Sequence, residues 1–478
     1  MHKTAKQKQI LLVCLAGGFT TMLDNSVLNI AVPALRSTLE ADPTQVQWIV
    51  AGYSLAFGLA LIPGGRLGDL RGRKPFFVAG IALFVGAGLL AATAQTPWLL
   101  VAVRLLQGAG AGLVNSQMIG TLQDVFTGPA RTRALGLYQV TCAVAIALGP
   151  PLGGALIALA GPEWGWRLAF LISVPSGLAT LLLAIRHLPA PTRGAPTGTR
   201  TTLDLFGLLL TAALTVTVML PFVQPATTAT KLALAAGAVA LTAALIAWQR
   251  HYAATGRKPL IHPALGRSPQ YVLGTLTAMG QFAASLASAL VLVMFLQDGL
   301  GLSPLAAAAV TLPAALAMAA VSNLAWRAVR RFGDRIVPIG LVLALAALLL
   351  SGLAALRAPS AVLPLLLAVG QLCSGAASGL IVSPNQAQVL RHAPPEAAGV
   401  AGGILQMSQR IAAAVGISAI SGIYLNSRAG TPQTAYFHAM LACAAVVALA
   451  LVLAVLTNRG GRAVPAAAPE PAPQRQRS

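Results

Sequence analysis

The feature that most constrains this chain is a series of fourteen apolar stretches, each about as long as a bilayer is thick. A transmembrane helix needs about 20 predominantly apolar residues. Only 9% of the 478 residues are charged, against about 25% in soluble proteins. The stretches lie at residues 9–33, 46–64, 75–95, 97–121, 133–158, 167–186, 204–223, 229–248, 270–296, 303–325, 336–356, 360–387, 398–424 and 435–457. The sequence therefore predicts an all-α polytopic membrane protein with fourteen transmembrane helices.

The distribution of basic residues predicts the orientation of these helices. Of the 32 Lys and Arg residues, 25 fall on the same side as the N-terminus and five on the opposite side. Because Lys and Arg accumulate in cytoplasmic segments, both termini are expected on the cytoplasmic side of the inner membrane. The formal charge of +21 is also typical of proteins that bind nucleic acids. A nucleic-acid binder gathers its bases on one face, whereas these lie in short gaps between apolar stretches, so no nucleic-acid partner is expected.

Several kinds of chemistry are not expected from the residues present. The four cysteines, Cys14, Cys142, Cys373 and Cys443, lie inside apolar stretches without metal-ligand spacing, so neither disulfides nor a metal site are predicted. No Gly-x-x-x-x-Gly-Lys-Ser/Thr loop is present for ATP, and no nucleophile, base and orienting group cluster within one stretch. No enzyme activity and no cofactor are expected. The first stretch lacks a convincing cleavage site, so no cleavable signal peptide is predicted.

The chain is expected to contain two related halves. The basic stretch Gly64–Pro75 follows the second predicted helix, and a similar stretch, Ser322–Arg335, follows the tenth. Repeated halves are a common architecture of secondary transporters. The predicted divisions are residues 1–187, a six-helix half; 188–260, a connector with two extra helices; 261–458, a second six-helix half; and 459–478, a disordered cytoplasmic tail rich in Ala, Pro and Arg.

Six stretches, read in chain order, resemble the major facilitator superfamily and specifically its fourteen-helix drug:proton antiporter branch. They are Leu23–Pro33, Gly65–Lys74, Arg104–Gly112, Gly149–Gly154, Trp166–Pro175 and Phe295–Pro304. The resemblance implies two six-helix halves that rock around a central cavity, with two inserted helices. The second basic stretch departs from the family pattern, because Arg330 stands where the first has Asp69.

Asp24 is the candidate site residue that the sequence singles out most clearly. It lies about 15 residues, or about 22 Å, into the first predicted helix, whereas the other ten carboxylates fall in loops, at helix ends or in the tail. A charge at that depth needs a partner or a protonation cycle. Asp24 is therefore predicted to bind the coupling proton, a cationic substrate or both in turn. A static ion pair or buried acid is the structural alternative.

Two arginines inside predicted helices are candidate partners or anchors. Arg104 lies at a depth similar to that of Asp24, so a pair between them is predicted, with a purely structural strut as the alternative. Arg410 lies near the middle of the thirteenth predicted helix, as either a cavity charge or an anchor.

Further candidates depend on helices that the resemblance places around the cavity. Polar side chains expected to orient a ligand are Asn25, Asn29, Asn115, Gln117, Gln281, Asn385, Gln386 and Gln409. Apolar and aromatic surface is expected from Tyr53, Met118, Phe282 and Met294.

The resemblance implies that two motifs control the opening and closing of the central cavity. The resemblance implies a gating loop formed by Gly65, Arg66, Gly68, Asp69, Arg71, Gly72, Arg73 and Lys74, with Asp69 facing the helix that starts near Ala398. It also implies an antiporter motif, Gly149, Pro150, Pro151, Gly153 and Gly154, that packs against the tenth helix and seals the cavity. The prolines are expected to kink their helix.

Together these features predict proton-coupled efflux of hydrophobic, monocationic or neutral compounds by alternating access. One alternative is a dedicated exporter of a single metabolite or antibiotic, anions included, anchored by Arg104 or Arg410. A second is a receptor or channel without coupled transport. The expected partners are a small-molecule substrate, the coupling proton and the lipid bilayer, with the chain acting as a monomer.

Overall fold

The structure, a computed structural model, describes residues 2–189, 204–223, 227–257, 259–394, 397–426 and 430–460. The predicted tail from residue 461 onward therefore lies outside the described residues, as do residues 190–203, 224–226 and 258 of the predicted connector. Within the described ranges the chain forms fourteen α-helices. They are α1 (His2–Thr38), α2 (Pro43–Arg71), α3 (Arg73–Ala92), α4 (Pro97–Val125), α5 (Gly128–Leu171), α6 (Ser173–His187), α7 (Leu205–Val223), α8 (Thr228–Ala254), α9 (Pro269–Met294), α10 (Pro304–Phe332), α11 (Ile336–Arg357), α12 (Leu363–Arg391), α13 (Ala398–Leu425) and α14 (Pro432–Gly460).

The predicted number of fourteen membrane spans is not supported. Twelve helical segments of the described chain are long and apolar enough to cross a membrane. One of them, Arg133–His187, is 55 residues long and takes in both α5 and α6. Within it the backbone leaves helical geometry at Gly161, in the gap expected between the fifth and sixth stretches. The helix α13, which carries Arg410 in its middle, is not among the twelve.

The two basic stretches are mostly helical, which corrects the prediction of a short loop at Gly64–Pro75. The helix α2 runs on to Arg71, and the chain turns at the single residue Gly72. The second stretch behaves alike, because α10 runs on to Phe332 and the chain turns at Gly333. Their φ angles are +86° and +58°, a region that glycine adopts without steric cost. Both stretches thus end a long helix at a glycine, which supports the predicted internal repeat.

The helices pack as two groups that meet along two contacts. The helices α1 to α6 pack among themselves, and α9 to α14 do the same. The groups meet mainly where α2 packs on α13 and where α5 packs on α10. The helix α7 packs on α8, α2 and α13 at the side of the bundle. The exact domain boundaries stay a prediction. Below, the end of the bundle where α2 meets α3 is called the basic end, and the opposite end the far end.

One carboxylate attaches the α7–α8 hairpin at the basic end. Asp204, directly before α7, is 4% exposed. Its Oδ1 accepts hydrogen bonds from the Gly207 backbone N–H and from Trp248 Nε1, both at 2.8 Å. Its Oδ2 accepts from Gln249 Nε2 at 2.7 Å and from the Leu260 backbone N–H at 3.1 Å. Asp204 therefore joins α7, α8 and the segment that leads into α9.

Candidate functional site

The structure brings Asp24 of α1 and Arg104 of α4 together in the interior. Arg104 is 0% exposed and Asp24 is 2% exposed. Arg104 Nη1 donates to Asp24 Oδ2 at 3.0 Å and to Gln107 Oε1 at 2.6 Å. Asp24 Oδ1 accepts from Gln107 Nε2 at 2.9 Å and from Ser173 Oγ of α6 at 3.1 Å. The carboxylate is thus held by one cation and two neutral donors from α4 and α6.

Sequence reasoning did not find Gln107 and Ser173. Gln107 lies three residues after Arg104, so both project from one face of α4, and this spacing was a usable signal. Ser173 comes from a helix whose rotation relative to α1 is not readable from the sequence. Both residues nevertheless lie within stretches that resemble family motifs.

Close packing of α2 on α4 completes the surroundings of Arg104. Its guanidinium carbon lies 4.1 Å from the centre of the Tyr53 ring and 5.7 Å from that of Phe170. Arg104 Nε donates to the Ile49 carbonyl oxygen at 3.4 Å. A Cβ at Gly108 would overlap the Tyr53 backbone, so glycine there permits this approach. Arg104 Nη2 and the Tyr53 hydroxyl have no hydrogen-bond partner in the described structure.

The second arginine, Arg410 of α13, lies against aromatic rings rather than a carboxylate. Its guanidinium carbon is 4.1 Å from the centre of the Phe57 ring and 5.3 Å from that of Phe282. The α13 backbone approaches α2 closely there, because a Cβ at Gly58 would lie 3.0 Å from Arg410 Cβ. Phe57 is one turn after Tyr53, and their ring centres are 6.1 Å apart. Two adjacent aromatic residues of α2 therefore stack on the two interior arginines.

The other predicted cavity residues divide into packing contacts and partly exposed side chains. Asn115 Nδ2 donates to the Tyr138 hydroxyl at 2.9 Å. Gln117 Nε2 donates to a backbone carbonyl of α2 at 2.6 Å, and Asn385 Nδ2 to one of α9 at 3.2 Å. Tyr53, Met118, Met294 and Gln281 are buried, whereas Asn25, Asn29, Phe282, Gln386 and Gln409 are partly exposed. The three bonded amides therefore join helices, and the partly exposed group remains the candidate ligand surface.

The predicted gate forms its ion pairs within the first group of helices. Asp69 pairs with Arg73 Nη2 at 2.8 Å, and Arg73 also pairs with Asp124 at the end of α4. Lys74 Nζ donates to the Ile185 carbonyl oxygen at 2.6 Å. The ion pair of Asp69 is thus made within its own motif, and the expected approach of Asp69 to the start of α13 stays a prediction.

The remaining gate residues contact neighbouring helices or end α2. Arg66 donates to the carbonyl of Pro259. Pro259 directly precedes Leu260, whose backbone N–H donates to Asp204. A Cβ at Gly68 would overlap the side chain of Gln117. The stretch therefore fixes α2 against α4 and the segment that leads into α9.

The antiporter motif lies within α5, and its glycines face two different helices. A Cβ at Gly149 would overlap Ser26 of α1, and one at Gly153 would lie 2.9 Å from Ile30. A Cβ at Gly154 would lie 2.9 Å from the Pro304 carbonyl oxygen at the start of α10. The expected contact with the tenth helix is therefore made by Gly154.

The backbone of α5 leaves helical geometry after the antiporter motif. Helical geometry continues through Pro150 and Pro151, and the non-helical residue inside α5 is Gly161, with φ of +75°. The kink expected at the prolines stays a prediction.

The far end of the bundle is closed by contacts between the two groups. Gln297 Nε2, just after α9, donates to the Ile30 carbonyl oxygen of α1 at 3.0 Å. Arg36 Nη1 lies 3.6 Å from Asp298 Oδ2. These contacts lie beside the close approach of Gly154 to α10.

No group of three or more His, Cys, Asp or Glu residues suited to a metal ion occurs within the described residues.

A bundle of membrane-spanning helices with a neutralised ion pair in its interior is the architecture of a polytopic membrane transporter. The sequence profile of the Major Facilitator Superfamily matches residues 14–417, with a second match over 273–477. The chain therefore belongs to the Major Facilitator Superfamily.

Two relatives similar over most of the chain are transport proteins by name. The chain is 30% identical over 431 residues to the probable actinorhodin transporter of Streptomyces coelicolor, covering 88% of this chain and 73% of the relative. It is 31% identical over 461 residues to the cephamycin export protein CmcT of Amycolatopsis lactamdurans, covering 95% and 93%. A solved bacterial homologue of the human drug peptide transporters PepT1 and PepT2 superimposes with a TM-score of 0.68 at 15% identity, covering 96% of this chain and 99% of that one. That likeness shows the fold.

Proposed function

We propose that the chain exports small organic compounds across the cytoplasmic membrane in exchange for protons, as a member of the drug:proton antiporter branch of its superfamily. The basic end and both termini face the cytoplasm in this proposal, following the Lys and Arg bias. The far end then faces outward, and its closure corresponds to a state closed toward the outside.

The observation that carries the proposal is the environment of Asp24. Asp24 and Asp204 are the two buried carboxylates of the described structure, and Asp204 precedes its helix whereas Asp24 lies inside one. A carboxylate at that depth that contacts side chains of two other helices is suited to hold a proton in one state and an ion pair in another.

The ion pair provides a switch because protonation changes its energy. A proton on Asp24 removes the charge that Arg104 faces, and removing one partner of a buried pair costs about 3 to 5 kcal/mol. Such a cost shifts a two-state equilibrium by roughly a hundredfold or more. Arg104 contacts α2 through Ile49 and Tyr53, and α2 packs on α13 of the other group. Protonation in one group is thereby linked to the contact between groups.

The experiment uses the full chain in inverted membrane vesicles energised by respiration. Addition of a transported compound is expected to dissipate the proton gradient, measured with a pH-sensitive dye, using ethidium and cefoxitin as a cationic and an anionic probe. Asp24→Asn is expected to lower proton-driven accumulation at least tenfold, while probe exchange without a gradient persists because exchange needs no proton release.

The matched control is Glu163→Gln, which removes an exposed carboxylate of α5. It is expected to transport like the original chain. Full proton-driven accumulation by Asp24→Asn would refute the assigned role. Loss of exchange together with accumulation would indicate a folding defect, which Asp24→Glu then checks by restoring both.

A dedicated exporter of one compound is the second candidate. It is favoured by relatives whose names give a single compound, actinorhodin or cephamycin. Growth of cells that express the chain, compared across a panel of cationic, neutral and anionic antibiotics, separates the two. Protection against several chemical classes supports multidrug export, whereas protection against one class supports the dedicated exporter.

A further inference from the structure

Arg410 is a charged side chain in the interior that the proton switch does not use. It is the thirteenth residue of α13, about 18 Å from the start of that helix. It lies between Phe57 of the first helix group and Phe282 of the second. The titratable groups in its electrostatic range are uncharged at neutral pH: Tyr53, Tyr138 and Cys142.

Within the described residues, the interior therefore holds one positive charge without a counter-ion. The single interior carboxylate, Asp24, is already held by Arg104, Gln107 and Ser173. The other ion pairs of the described structure lie at helix ends, and none includes Arg410. An unpaired charge at membrane depth is unfavourable and commonly marks a path for substrate or ions.

The hydrogen-bonding groups of Arg410 are also unused. A guanidinium carries five N–H donors, and within the described structure the contacts of the Arg410 guanidinium are with the Phe57 and Phe282 rings, with no hydrogen bond. A structural arginine donates to backbone carbonyls, as Arg167 does to those of Ala92 and Ala94. Arg410 is instead partly exposed, with ring faces beside it. The guanidinium N–H donors are therefore free to bind a hydrogen-bond acceptor on a ligand.

We propose that Arg410 binds the acidic group of the transported compound, so that the substrate class is an apolar or aromatic monoanion. This assignment rests on the proposed export function. A guanidinium binds planar carboxylates with two parallel hydrogen bonds. The partly exposed Phe282 offers apolar surface for the body of the compound, while the buried Phe57 ring packs against the guanidinium. Arg104 does not serve as this anchor, because its charge is balanced by Asp24. The monocationic class expected from the sequence is disfavoured, because a cation meets an unbalanced positive charge.

The assignment has an electrical consequence. A proton that enters and a monoanion that leaves both carry positive charge inward, so one-to-one exchange moves two charges per cycle. Export of a monocation for one proton moves none. Transport of the anion should therefore be stimulated by an inside-negative potential that is imposed without a pH gradient.

The test uses three compounds that share the anthracene ring system and carry an anionic, a neutral or a cationic substituent: anthracene-2-carboxylate, its methyl ester and the trimethylammonium analogue. Binding to the purified full chain in nanodiscs is measured by equilibrium dialysis, with empty nanodiscs subtracted. The carboxylate is expected to bind at least tenfold more tightly than the ester, and the ammonium compound more weakly than both. Arg410→Gln should remove the advantage of the carboxylate and leave ester binding unchanged, whereas Arg410→Lys retains part of it.

The matched control is Arg357→Gln, which removes an exposed arginine at the end of α11 and should leave the preference intact. Ester binding reports whether each variant is folded, and if Arg410→Gln does not fold, the original chain and Arg410→Lys decide. Equal affinities, tighter binding of the ammonium compound, or no binding of the carboxylate by the original chain would overturn the proposal. If Arg410→Gln keeps the preference while transport still depends on Asp24, only the anion site fails. If Asp24→Asn transports fully, the proton exchange fails instead.

Discussion

Replacing Asp204 with alanine is expected to release the α7–α8 hairpin from the basic end of the bundle. The carboxylate accepts four hydrogen bonds, from Gly207, Trp248, Gln249 and Leu260. Each buried donor left without an acceptor costs about 1 to 3 kcal/mol, and loss of a helix N-cap costs about 1 kcal/mol. Water reaches some of these donors once the hairpin moves, so the net cost is about 3 to 5 kcal/mol, the range for breaking a buried charged network.

Hydrogen exchange followed by mass spectrometry measures this local release. A cost of about 3 to 5 kcal/mol corresponds to roughly a hundredfold to several thousandfold more frequent opening. Amides at the start of α7 and at Leu260 should therefore lose protection by at least a hundredfold in Asp204→Ala, while α9 to α12 keep theirs. Glu163→Ala, which removes an exposed carboxylate, is the matched control. Unchanged protection at Leu208 and Leu260 would refute the assigned role of Asp204.

The same site predicts a pH dependence with a definite sign. Asp204 lies just outside the apolar segment Leu205–Phe222. Burial raises its pKa, but the hydrogen bonds from Trp248, Gly207, Gln249 and Leu260 outweigh burial and hold the pKa below its usual value. A lowered pKa stabilises the folded form above the ordinary value of about 3.9, and that stabilisation is lost as the pH falls through the lowered pKa. The difference in exchange between the original chain and Asp204→Ala should stay constant from pH 7 to 5 and shrink below about pH 4.

Three further predictions test packing, the proton site and closure. Gly108→Val should lower the midpoint of thermal unfolding, because the valine side chain would overlap the Tyr53 backbone. Gly86→Val is the control, since a Cβ there meets nothing within 4 Å. Equal midpoints for the two variants would contradict the close packing of α2 on α4. Ser173→Ala should weaken proton-driven accumulation by about tenfold, because a hydrogen bond to a charged group contributes about 1.5 kcal/mol; unchanged accumulation would exclude Ser173. Cysteines in place of Arg36 and Asp298, once cross-linked, should stop transport until reduced, whereas continued transport would show that the far end need not open.

The local pattern of the chain predicted much of the fold. The apolar stretch expected at 270–296 matches α9 (Pro269–Met294), and the one at 398–424 matches α13 (Ala398–Leu425). The similar depths of Asp24 and Arg104, judged by counting residues from the predicted helix ends, correctly anticipated their contact. These predictions succeed because each membrane helix satisfies its backbone hydrogen bonds internally, so that hydropathy along a short window carries the information.

The remaining features depend on how the helices are rotated and packed. Hydropathy does not specify which side of α6 faces α1, so the contact of Ser173 with Asp24 was not predictable. Nor does it reveal that Asp69 pairs with Arg73, or that helix continues through the expected loop as far as Gly72. The sequence by itself determined a polytopic helical transporter with a charge pair at membrane depth. Only the tertiary structure decided that Asp24 and Arg104 form a direct ion pair and that Arg410 is left without a counter-ion. The reason is that charge balance depends on which side chains of distant helices meet.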